Sequence, residues 1–321
     1  MNSVARRSLI MENTTQIKVA ILGATGYIGR SLVATADAHG FEIVSFSRDV
    51  SRAKKVFASY NIDDQSVSSY DSFLDQNFDV VINATGIGSP REITNNPTKV
   101  FSVTEEMDSL IFYYLDKYPN TRVFNISSGS VYGLSAGQPI EKGILATFDP
   151  SHLDPGNYYS LAKLHSEAKH RAWSDHNIVD LRVFAFISRW LDTDETFFIA
   201  EVANCLLNDK VFYTKQSDMV RDYCTADDLW KVIEFLCDRP AQNAVFDMQS
   251  KSPVAKFELL DHLSLKFGLK YKVSKELMDQ SPTGQKNAYY SKSNALTNSG
   301  FIPHFTALEN LSSELKAFLY L

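Results

Sequence analysis

Tyr159 and Lys163 are the residues whose spacing points most directly to chemistry. They stand four positions apart in the segment Tyr-Ser-Leu-Ala-Lys. On a helix this spacing places both side chains on one face. An ammonium beside a phenol favours the phenolate and lowers its pKa, so the pair can exchange a proton with an alcohol or ketone near neutral pH. Tyr158 is the rival tyrosine, but Ala162 stands four residues after it. A surface Tyr–Lys pair is the alternative interpretation.

Small hydroxyl residues follow a predicted strand at residues 122–126. The segment 125–133 reads Asn-Ile-Ser-Ser-Gly-Ser-Val-Tyr-Gly. A doubly wound sheet binds its ligands at the carboxyl ends of its strands. A serine hydroxyl at this edge can hydrogen-bond a reacting oxygen, whereas the alternative is a polar turn capped by serines.

A glycine-rich loop lies between the first predicted strand and the first predicted helix, with the pattern GxxGxxG. Glycines allow a tight turn and close approach to a pyrophosphate, and the following helix N-terminus offers N–H groups and partial positive charge. The pattern therefore predicts dinucleotide binding, and a tight turn with packing glycines is the alternative. The residues assigned to this loop are Gly23, Thr25, Gly26, Tyr27, Ile28 and Gly29.

The end of the second predicted strand bears on the choice of cofactor. A carboxylate there would hold a ribose 2′-OH, whereas an arginine accommodates a 2′-phosphate. The chain has Ser47 and Arg48 at this place, which favours NADP (NADPH) over NAD. Lys54 and Lys55 add positive charge nearby, while Asp49 is an alternative ligand for the ribose.

These segments need a parallel sheet to bring them together. Short apolar strands alternate with helices up to about residue 185, which is typical of βαβ units. Strands are predicted at 17–22, 41–46, 79–84, 122–126 and 179–184, and helices at 27–39, 51–59, 97–118 and 158–176. We therefore predict an α/β fold: a doubly wound parallel (Rossmann) sheet with a smaller C-terminal mixed α/β substrate lobe.

The expected domain boundaries follow from where this alternation ends. Residues 1–16 are expected to form a flexible N-terminal tail and 17–185 the NAD(P)-binding Rossmann domain. Residues 186–321 are expected to form mainly a substrate-binding lobe, with parts around 215–250 returning to the Rossmann core. In this lobe helices are predicted near 194–208, 226–238, 255–267 and 306–319, and strands near 211–214 and 244–248.

Composition excludes several classes of protein. With 44% hydrophobic and 22% charged residues among 321, the chain is an ordinary globular protein rather than a disordered or coiled-coil one. A net charge of −6 gives no electrostatic case for nucleic acid as the partner, and no apolar run is long enough to span a membrane. Three cysteines match no zinc pattern and predict a reducing, cytoplasmic compartment without a metal. Four histidines without metal-ligand spacing are predicted to lie on helix surfaces: His152, His165, His170 and His176.

In combination, these motifs resemble the extended short-chain dehydrogenase/reductase family, in its nucleotide-sugar epimerase, dehydratase and reductase branch. The resemblance spans about residues 17–315 and rests on motifs in the family's order. These are the glycine loop, DVVINATG at 79–86, SSGSVYG at 127–133, YSLAK at 159–163, LRVF at 181–184, VRDYCTADD at 220–228, AVFDM at 244–248 and FIP at 301–303.

The resemblance implies roles for individual residues. Ser128, Tyr159 and Lys163 correspond to the catalytic Ser/Thr, tyrosine and lysine, and the lysine also holds the nicotinamide ribose. Arg221 corresponds to an arginine that grips the diphosphate of a nucleotide sugar. The resemblance further places Ala84 and Thr85 at the cofactor, and Ser128 and Tyr132 at the substrate.

Two departures from the family pattern limit the reactions and substrates that we expect. Dehydratases of the family carry an Asp-Glu pair after the catalytic Ser/Thr, whereas this chain has Gly129 and Ser130, so water elimination is not expected. The family's LRxFN segment reads LRVFA here, with Ala185 in place of asparagine, which weakens the inferred grip on a diphosphate.

We therefore expect an NADPH-dependent reductase of a 4-keto, 6-deoxy nucleotide sugar. A 4-epimerase that keeps NAD bound is the first alternative, and a non-catalytic dinucleotide-binding protein is the second. The family resemblance also implies a homodimer.

Overall fold

The computed structural model describes residues 16–63, 66–133, 137–274 and 287–320. The expected tail lies outside the described residues except for Gln16. The strands are β1 (Lys18–Leu22), β2 (Glu42–Ser47), β3 (Ser66–Ser69), β4 (Val80–Asn83), β5 (Arg122–Ser128), β6 (Ile178–Val183), β7 (Ala185–Phe186), β8 (Val211–Thr214), β9 (Val220–Arg221), β10 (Tyr223–Cys224), β11 (Ala244–Asp247), β12 (Val254–Ala255), β13 (Lys270–Val273) and β14 (Ala288–Tyr289). The α-helices are α1 (Tyr27–Thr35), α2 (Val50–Ser59), α3 (Pro90–Asn95), α4 (Pro97–Lys117), α5 (Pro155–Ala172), α6 (Phe198–Leu207), α7 (Ala226–Cys237), α8 (Lys256–Phe267), α9 (Ala295–Asn298) and α10 (Ala307–Leu319).

Seven parallel strands form the central sheet, in the order β11-β6-β5-β4-β1-β2-β3. The order reverses beside β1, so the carboxyl ends of β1 and β4 flank a topological switch point, the usual ligand crevice of such sheets. Strand β1 is buried from Val19 to Leu22, because helices cover both faces of the sheet. This double cover accounts for the continuous apolar runs in the sequence, and it confirms the predicted fold class.

Helices α1 and α7 pack together on one face of the sheet. Trp230 of α7 is fully buried, and its Nε1 donates to the carbonyl oxygen of Leu32 at 3.2 Å. The residues that follow α7 then form β11, which pairs with β6 at the edge of the sheet.

The remaining C-terminal elements build a second apolar cluster and three small sheets. Leucines of α8 and α10 pack with α6 in this cluster. Strand β9 pairs with β12 on one side and with β14 on the other, so that Tyr289 of β14 stands opposite Arg221 of β9. Two residues that are distant in the sequence are thereby brought side by side.

A row of polar side chains crosses the sheet beneath its carboxyl edge. Asn83, Asn125 and Asp180 are in register on β4, β5 and β6. Asn83 Nδ2 donates to Asn125 Oδ1 at 2.9 Å, and Asn125 Nδ2 donates to Asp180 Oδ1 at 2.7 Å. Helix α5 joins this polar ladder through His170 and Arg171, whose Nδ1 and Nη2 lie 2.8 and 2.9 Å from the Asp180 carboxylate. The ladder therefore fixes the helix that carries the Tyr-Lys pair.

His170 is fully buried, so the prediction of a helix-surface histidine is wrong. Its second ring nitrogen, Nε2, lies 3.5 Å from Asp108 Oδ1 of α4. Burial by itself lowers the pKa of His170, but hydrogen bonds to Asp108 and Asp180 outweigh burial and raise the pKa to about 9. The helical pattern could not show this, because both carboxylates come from other elements.

Helix α5 begins earlier than its apolar pattern indicates. Its N-cap is Asp154, whose side chain accepts a hydrogen bond from Asn157 N at 3.0 Å, a common way to satisfy the first turn of a helix. The helix ends at Ala172 rather than at residue 176. Within the described ranges, no helix combines the length and apolar character needed to cross a bilayer.

Replacing His170 with glutamine should destabilise the protein by about 3–5 kcal/mol, because Asp108 and Asp180 lose the cation between them. The folded-state pKa of His170 lies above the ordinary value of 6.5. Its stabilisation is therefore fully present below about pH 6.5 and is lost as the pH rises towards 9. Urea unfolding at several pH values should show this loss in the wild type and not in the variant. An equal pH dependence in both proteins would contradict the assignment.

Candidate functional site

The glycine loop is closed by contacts that only glycine permits. Gly23 adopts φ +75°, and a Cβ on Gly29 would lie 2.2 Å from the Gly23 carbonyl oxygen. Helix α1 starts directly after Gly26, which provides no side-chain cap, so its first N–H groups can bind an anion. This arrangement fits a dinucleotide pyrophosphate, with Thr25 and Ile28 in the same turn.

The side chain of Tyr27 serves the fold rather than a cofactor. Its Oη accepts a hydrogen bond from Ser188 N at 2.8 Å and donates one to Ser188 O at 3.3 Å. This contact ties α1 to the segment after β7. Only the main chain of Tyr27 is therefore available to a ligand bound at the glycine loop.

The end of β2 presents a positive charge near the glycine loop. Ser47 is buried and Arg48 is exposed. Burial raises the pKa of Tyr70, and the positive charge of Arg48 acts to lower it. The Tyr70 hydroxyl accepts a hydrogen bond from Gly23 N at 2.9 Å. Asp49, the alternative ribose ligand, instead caps α2 by accepting from Arg52 N at 2.9 Å. Its carboxylate is thus engaged in helix capping.

Lys163 of α5 is buried. Its Nζ donates to the carbonyl oxygens of Ile126 and Thr85 at 2.8 and 3.3 Å. Burial lowers the pKa of Lys163, whereas the charges of Asp108, Asp180 and Glu167 raise it. The effect of burial is the larger, so the pKa of Lys163 lies below its ordinary value, and the three carboxylates oppose this change. Asp108 belongs to α4 and Asp180 to β6, whereas Glu167 is on α5 itself.

The loop after β4 lies against the Tyr-Lys pair. A Cβ on Gly86 would stand 3.4 Å from Lys163 Nζ, and a Cβ on Gly88 would stand 3.9 Å from Tyr159 Oη. Thr85 is held in this loop by its amide N–H, which donates to Asn83 Oδ1 at 3.1 Å. The loop therefore brings the predicted cofactor residues Ala84 and Thr85 beside the candidate catalytic residues.

Ser128 ends β5 and caps the turn Gly129–Tyr132, because its Oγ accepts a hydrogen bond from Ser130 N at 3.2 Å. Burial raises the pKa of Tyr159, and a hydrogen bond from Ser128 lowers it. The sequence predicted that Lys163 would lower this pKa. In the structure burial has the larger effect and raises this pKa, and the contact with Ser128 opposes the rise. The lysine ammonium donates to two carbonyl groups.

Gly129 has a steric reason to be a glycine. A Cβ at this position would lie 2.4 Å from the Phe184 ring, which is far inside van der Waals contact. The site in which the family's dehydratases carry an acid therefore has no room for a carboxylate while Phe184 stays in place. Ser130 follows in the same buried turn.

The predicted substrate residues Tyr132 and Arg221 have partners inside the protein. Tyr132 Oη accepts from Arg182 Nη1 at 2.7 Å and donates to Asp247 at 3.1 Å. Arg221 Nη1 donates to the Val220 carbonyl oxygen at 3.0 Å, and its guanidinium lies 5.7 Å from the centre of the Tyr289 ring. Both side chains are half-buried.

Sequence reasoning missed two tyrosines of this region. Tyr289 Oη lies 3.2 Å from Ser128 Oγ, and Tyr70 contacts the glycine loop as described above. Tyr289 gave no local signal, because it belongs to a two-residue strand that is far from Ser128 in sequence. Tyr70 follows the polar strand β3, Ser-Val-Ser-Ser, which the apolar pattern did not reveal.

Comparisons with known proteins agree with this architecture. Residues 19–248 match the model of the NAD dependent epimerase/dehydratase family. The chain superposes on a UDP-N-acetylglucosamine 4-epimerase from Methanobrevibacter ruminantium M1 in complex with UDP-N-acetylmuramic acid (TM-score 0.75, 17% identity, 96% of this chain and 99% of that one).

Two further solved structures have a similar fold. One is a UDP-glucose 4-epimerase from Thermotoga maritima with UDP-glucose (TM-score 0.73, 15% identity, 94% of this chain and 98% of that one). The other is RMD from Pseudomonas aeruginosa complexed with NADPH (TM-score 0.73, 16% identity, 96% of this chain and 99% of that one). At these identities the likeness concerns the fold alone.

Replacing Gly29 with alanine should abolish dinucleotide binding and lower the thermal midpoint, because the new Cβ would lie 2.2 Å from a carbonyl oxygen within the loop. Gly26→Ala is the matched control for folding, since its nearest neighbour would be 3.3 Å away. Calorimetric titration with NADPH and NADH, together with thermal unfolding, measures both effects. A Gly29→Ala protein with wild-type stability and affinity would refute this account of the loop.

Proposed function

Because the chain belongs to the NAD-dependent epimerase/dehydratase family, whose members are NAD(P)-dependent enzymes, we propose that it is an NADPH-dependent reductase of a 4-keto nucleotide sugar. We further propose a 6-deoxy sugar as the substrate class. Ser128, Tyr159 and Lys163 are the proposed catalytic residues. The observation that carries the choice of a reductase is the end of β2, where Arg48 stands free for a 2′-phosphate while Asp49 caps a helix.

The cofactor assignment rests on the positive charge of Arg48 and on Asp49, the nearest acid, whose carboxylate caps helix α2. An arginine beside the first ribose accommodates a phosphate, whereas a carboxylate would hold the unmodified hydroxyl. NADPH is exchanged after each turnover of a reductase, and a 2′-phosphate site suits that use. The residues proposed to bind the cofactor are Gly23, Thr25, Gly26, Tyr27, Ile28, Gly29, Ser47, Arg48, Ala84, Thr85, Tyr159 and Lys163.

The proposed mechanism assigns one task to each catalytic side chain. When bound, NADPH would be the source of the hydride that the ketone carbon accepts. Ser128 donates a hydrogen bond to the ketone oxygen and so stabilises the negative charge that develops there. Tyr159 transfers its proton to that oxygen, which completes the alcohol. The Lys163 ammonium, which donates to the carbonyl oxygens of Ile126 and Thr85, supplies positive charge that stabilises the phenolate until a proton returns from solvent.

The substrate proposal combines the fold with the charge of Arg221. The similar structures named above include complexes with UDP-linked sugars. Arg221 is the residue we assign to the diphosphate, in the same small sheet as Tyr289. Burial lowers the pKa of Arg221, which reflects the cost of keeping this cation out of water and favours an anionic ligand beside it.

Dehydration is not part of the proposal, because residue 129 cannot carry an acid against Phe184. A 4-epimerase is the remaining alternative. It would use the same three residues but return the hydride to the sugar and retain its dinucleotide. The similar folds include 4-epimerases and an NADPH-bound protein, so hydride retention is the property to measure.

We also propose a cytoplasmic homodimer. The three cysteines are unpaired thiols, as expected in a reducing compartment. The exposed Phe101 ring of α4 lies 5.9 Å from the Tyr158 ring of α5, and we assign this aromatic surface to the contact between subunits.

Incubation with 4-keto-6-deoxy nucleotide sugars and NADPH should consume NADPH stoichiometrically. Deuterium on the nicotinamide C4 should appear on the sugar carbon that carries the new hydroxyl.

Tyr159→Phe should lower kcat by ~10²–10⁴-fold, because a positioned proton donor is lost, and should leave NADPH affinity near the wild-type value. Tyr158→Phe is the matched control, since its ring packs on Phe101 away from the site. If the purified protein instead carries tightly bound NAD and interconverts two nucleotide sugars, the reductase proposal is wrong and the epimerase alternative holds.

Replacing Arg48 with alanine should weaken NADPH binding by roughly ten- to a hundredfold, the loss expected from one or two charge-assisted hydrogen bonds. NADH affinity should change little, because NADH has no 2′-phosphate. Arg52→Ala, on the neighbouring helix α2, controls for a general loss of positive charge. Equal losses for both cofactors in Arg48→Ala would assign this arginine a structural role.

A further inference from the structure

Tyr289 joins the C-terminal lobe to the catalytic serine. Its Oη lies 3.2 Å from Ser128 Oγ, and its ring is 5.1 Å from the Phe184 ring. The pairing of β14 with β9 holds the backbone of Tyr289 beside Arg221. None of the motifs that led to the proposed function includes this residue.

The hydrogen-bonding capacity of a serine hydroxyl limits what Ser128 can do. The hydroxyl has one proton to donate and two lone pairs to accept with. One lone pair accepts from Ser130 N at 3.2 Å. If the Tyr289 hydroxyl occupies the second, the Ser128 proton is left for a third partner.

Tyr289 is suited to act as the donor in this contact. Burial raises the pKa of Tyr289, so its phenol keeps its proton. Contacts with Ser128 and Ser130, at the end of β5 and in the turn after it, lower this pKa, as does the charge of Arg221 from β9, whereas the charge of Tyr159 from α5 raises it. The Ser128–Tyr289 geometry allows either hydroxyl to be the donor. Ser128 also acts on Tyr159: burial raises the pKa of that tyrosine, and the contact with Ser128 opposes the rise.

We propose that Tyr289 is a positioning residue that fixes the direction of the Ser128 hydroxyl, so that the serine proton is offered to Tyr159 and, when a ketone is bound, to the ketone oxygen. The three hydroxyls form a chain in which Tyr289 donates to Ser128 and Ser128 donates onward. Each donor in such a chain polarises the next. The role in reduction rests on the proposed function, whereas the effect on Tyr159 does not.

The first test measures Tyr159 without any substrate. Protein labelled with ¹³C at tyrosine Cζ is titrated by NMR, and the Tyr159 resonance is identified by its absence in Tyr159→Phe. In Tyr289→Phe the pKa of Tyr159 should rise by about one unit, the size expected from losing one neutral hydrogen bond. The variant retains the aromatic ring and should keep the thermal midpoint.

Tyr290→Phe is the matched control. Tyr290 follows the last residue of β14, and its main-chain oxygen accepts a hydrogen bond from Ile140 N at 3.0 Å. This variant should leave the pKa of Tyr159 unchanged. An unchanged Tyr159 pKa in Tyr289→Phe, or equal shifts in both variants, would overturn the positioning role.

The second test uses the reductase assay described above. Tyr289→Phe should lower kcat about tenfold with little change in KM. Without the Tyr289 hydroxyl, the Ser128 O–H is no longer held in one direction and can donate to other acceptors. The alkaline limb of the kcat/KM profile should move to higher pH along with the Tyr159 pKa. If the wild type reduces no 4-keto sugar nucleotide, the proposed function fails, yet the NMR titration still decides whether Tyr289 orients Ser128.

Discussion

The position of helix α5 depends on the hydrogen-bonded row Asn83–Asn125–Asp180. These side chains face a buried layer, where an unpaired polar group costs about 1–3 kcal/mol. The row is satisfied only when α5 places His170 and Arg171 against Asp180. Two turns before His170, the same helix carries Lys163, and Tyr159 lies one turn further. The hydrogen bonds of this row therefore help to set the position of the proposed proton-transfer residues relative to the sheet.

The ladder also affects the charge of the site. Asp108 and Asp180, which hold His170, are among the carboxylates that favour the Lys163 ammonium against burial. Lys163 is then hydrogen-bonded by the carbonyls of Ile126 and Thr85, so the ends of β5 and β4 share one cation. A single connected set of groups therefore holds the Lys163 ammonium, helix α5 and the loop after β4.

The C-terminal lobe completes the site from the opposite side. It supplies Arg221 for the proposed diphosphate and brings Tyr289 to Ser128. Phe184 fills the space beside Gly129, which leaves hydroxyl groups rather than a carboxylate around the serine. The chemistry available here is hydrogen bonding and proton donation to an oxygen, as the reduction of a ketone requires.

The sequence by itself determined the α/β fold class, the glycine loop and the pairing of Tyr159 with Lys163, because each depends on residues close together in the chain. Strand and helix periods and a four-residue spacing are local properties. Tertiary structure alone decided that His170 is buried, that burial raises the pKa of Tyr159 while Ser128 opposes the rise, and that Tyr289 reaches Ser128. Each of these outcomes depends on which groups from distant segments share a low-dielectric space, and no local spacing specifies that.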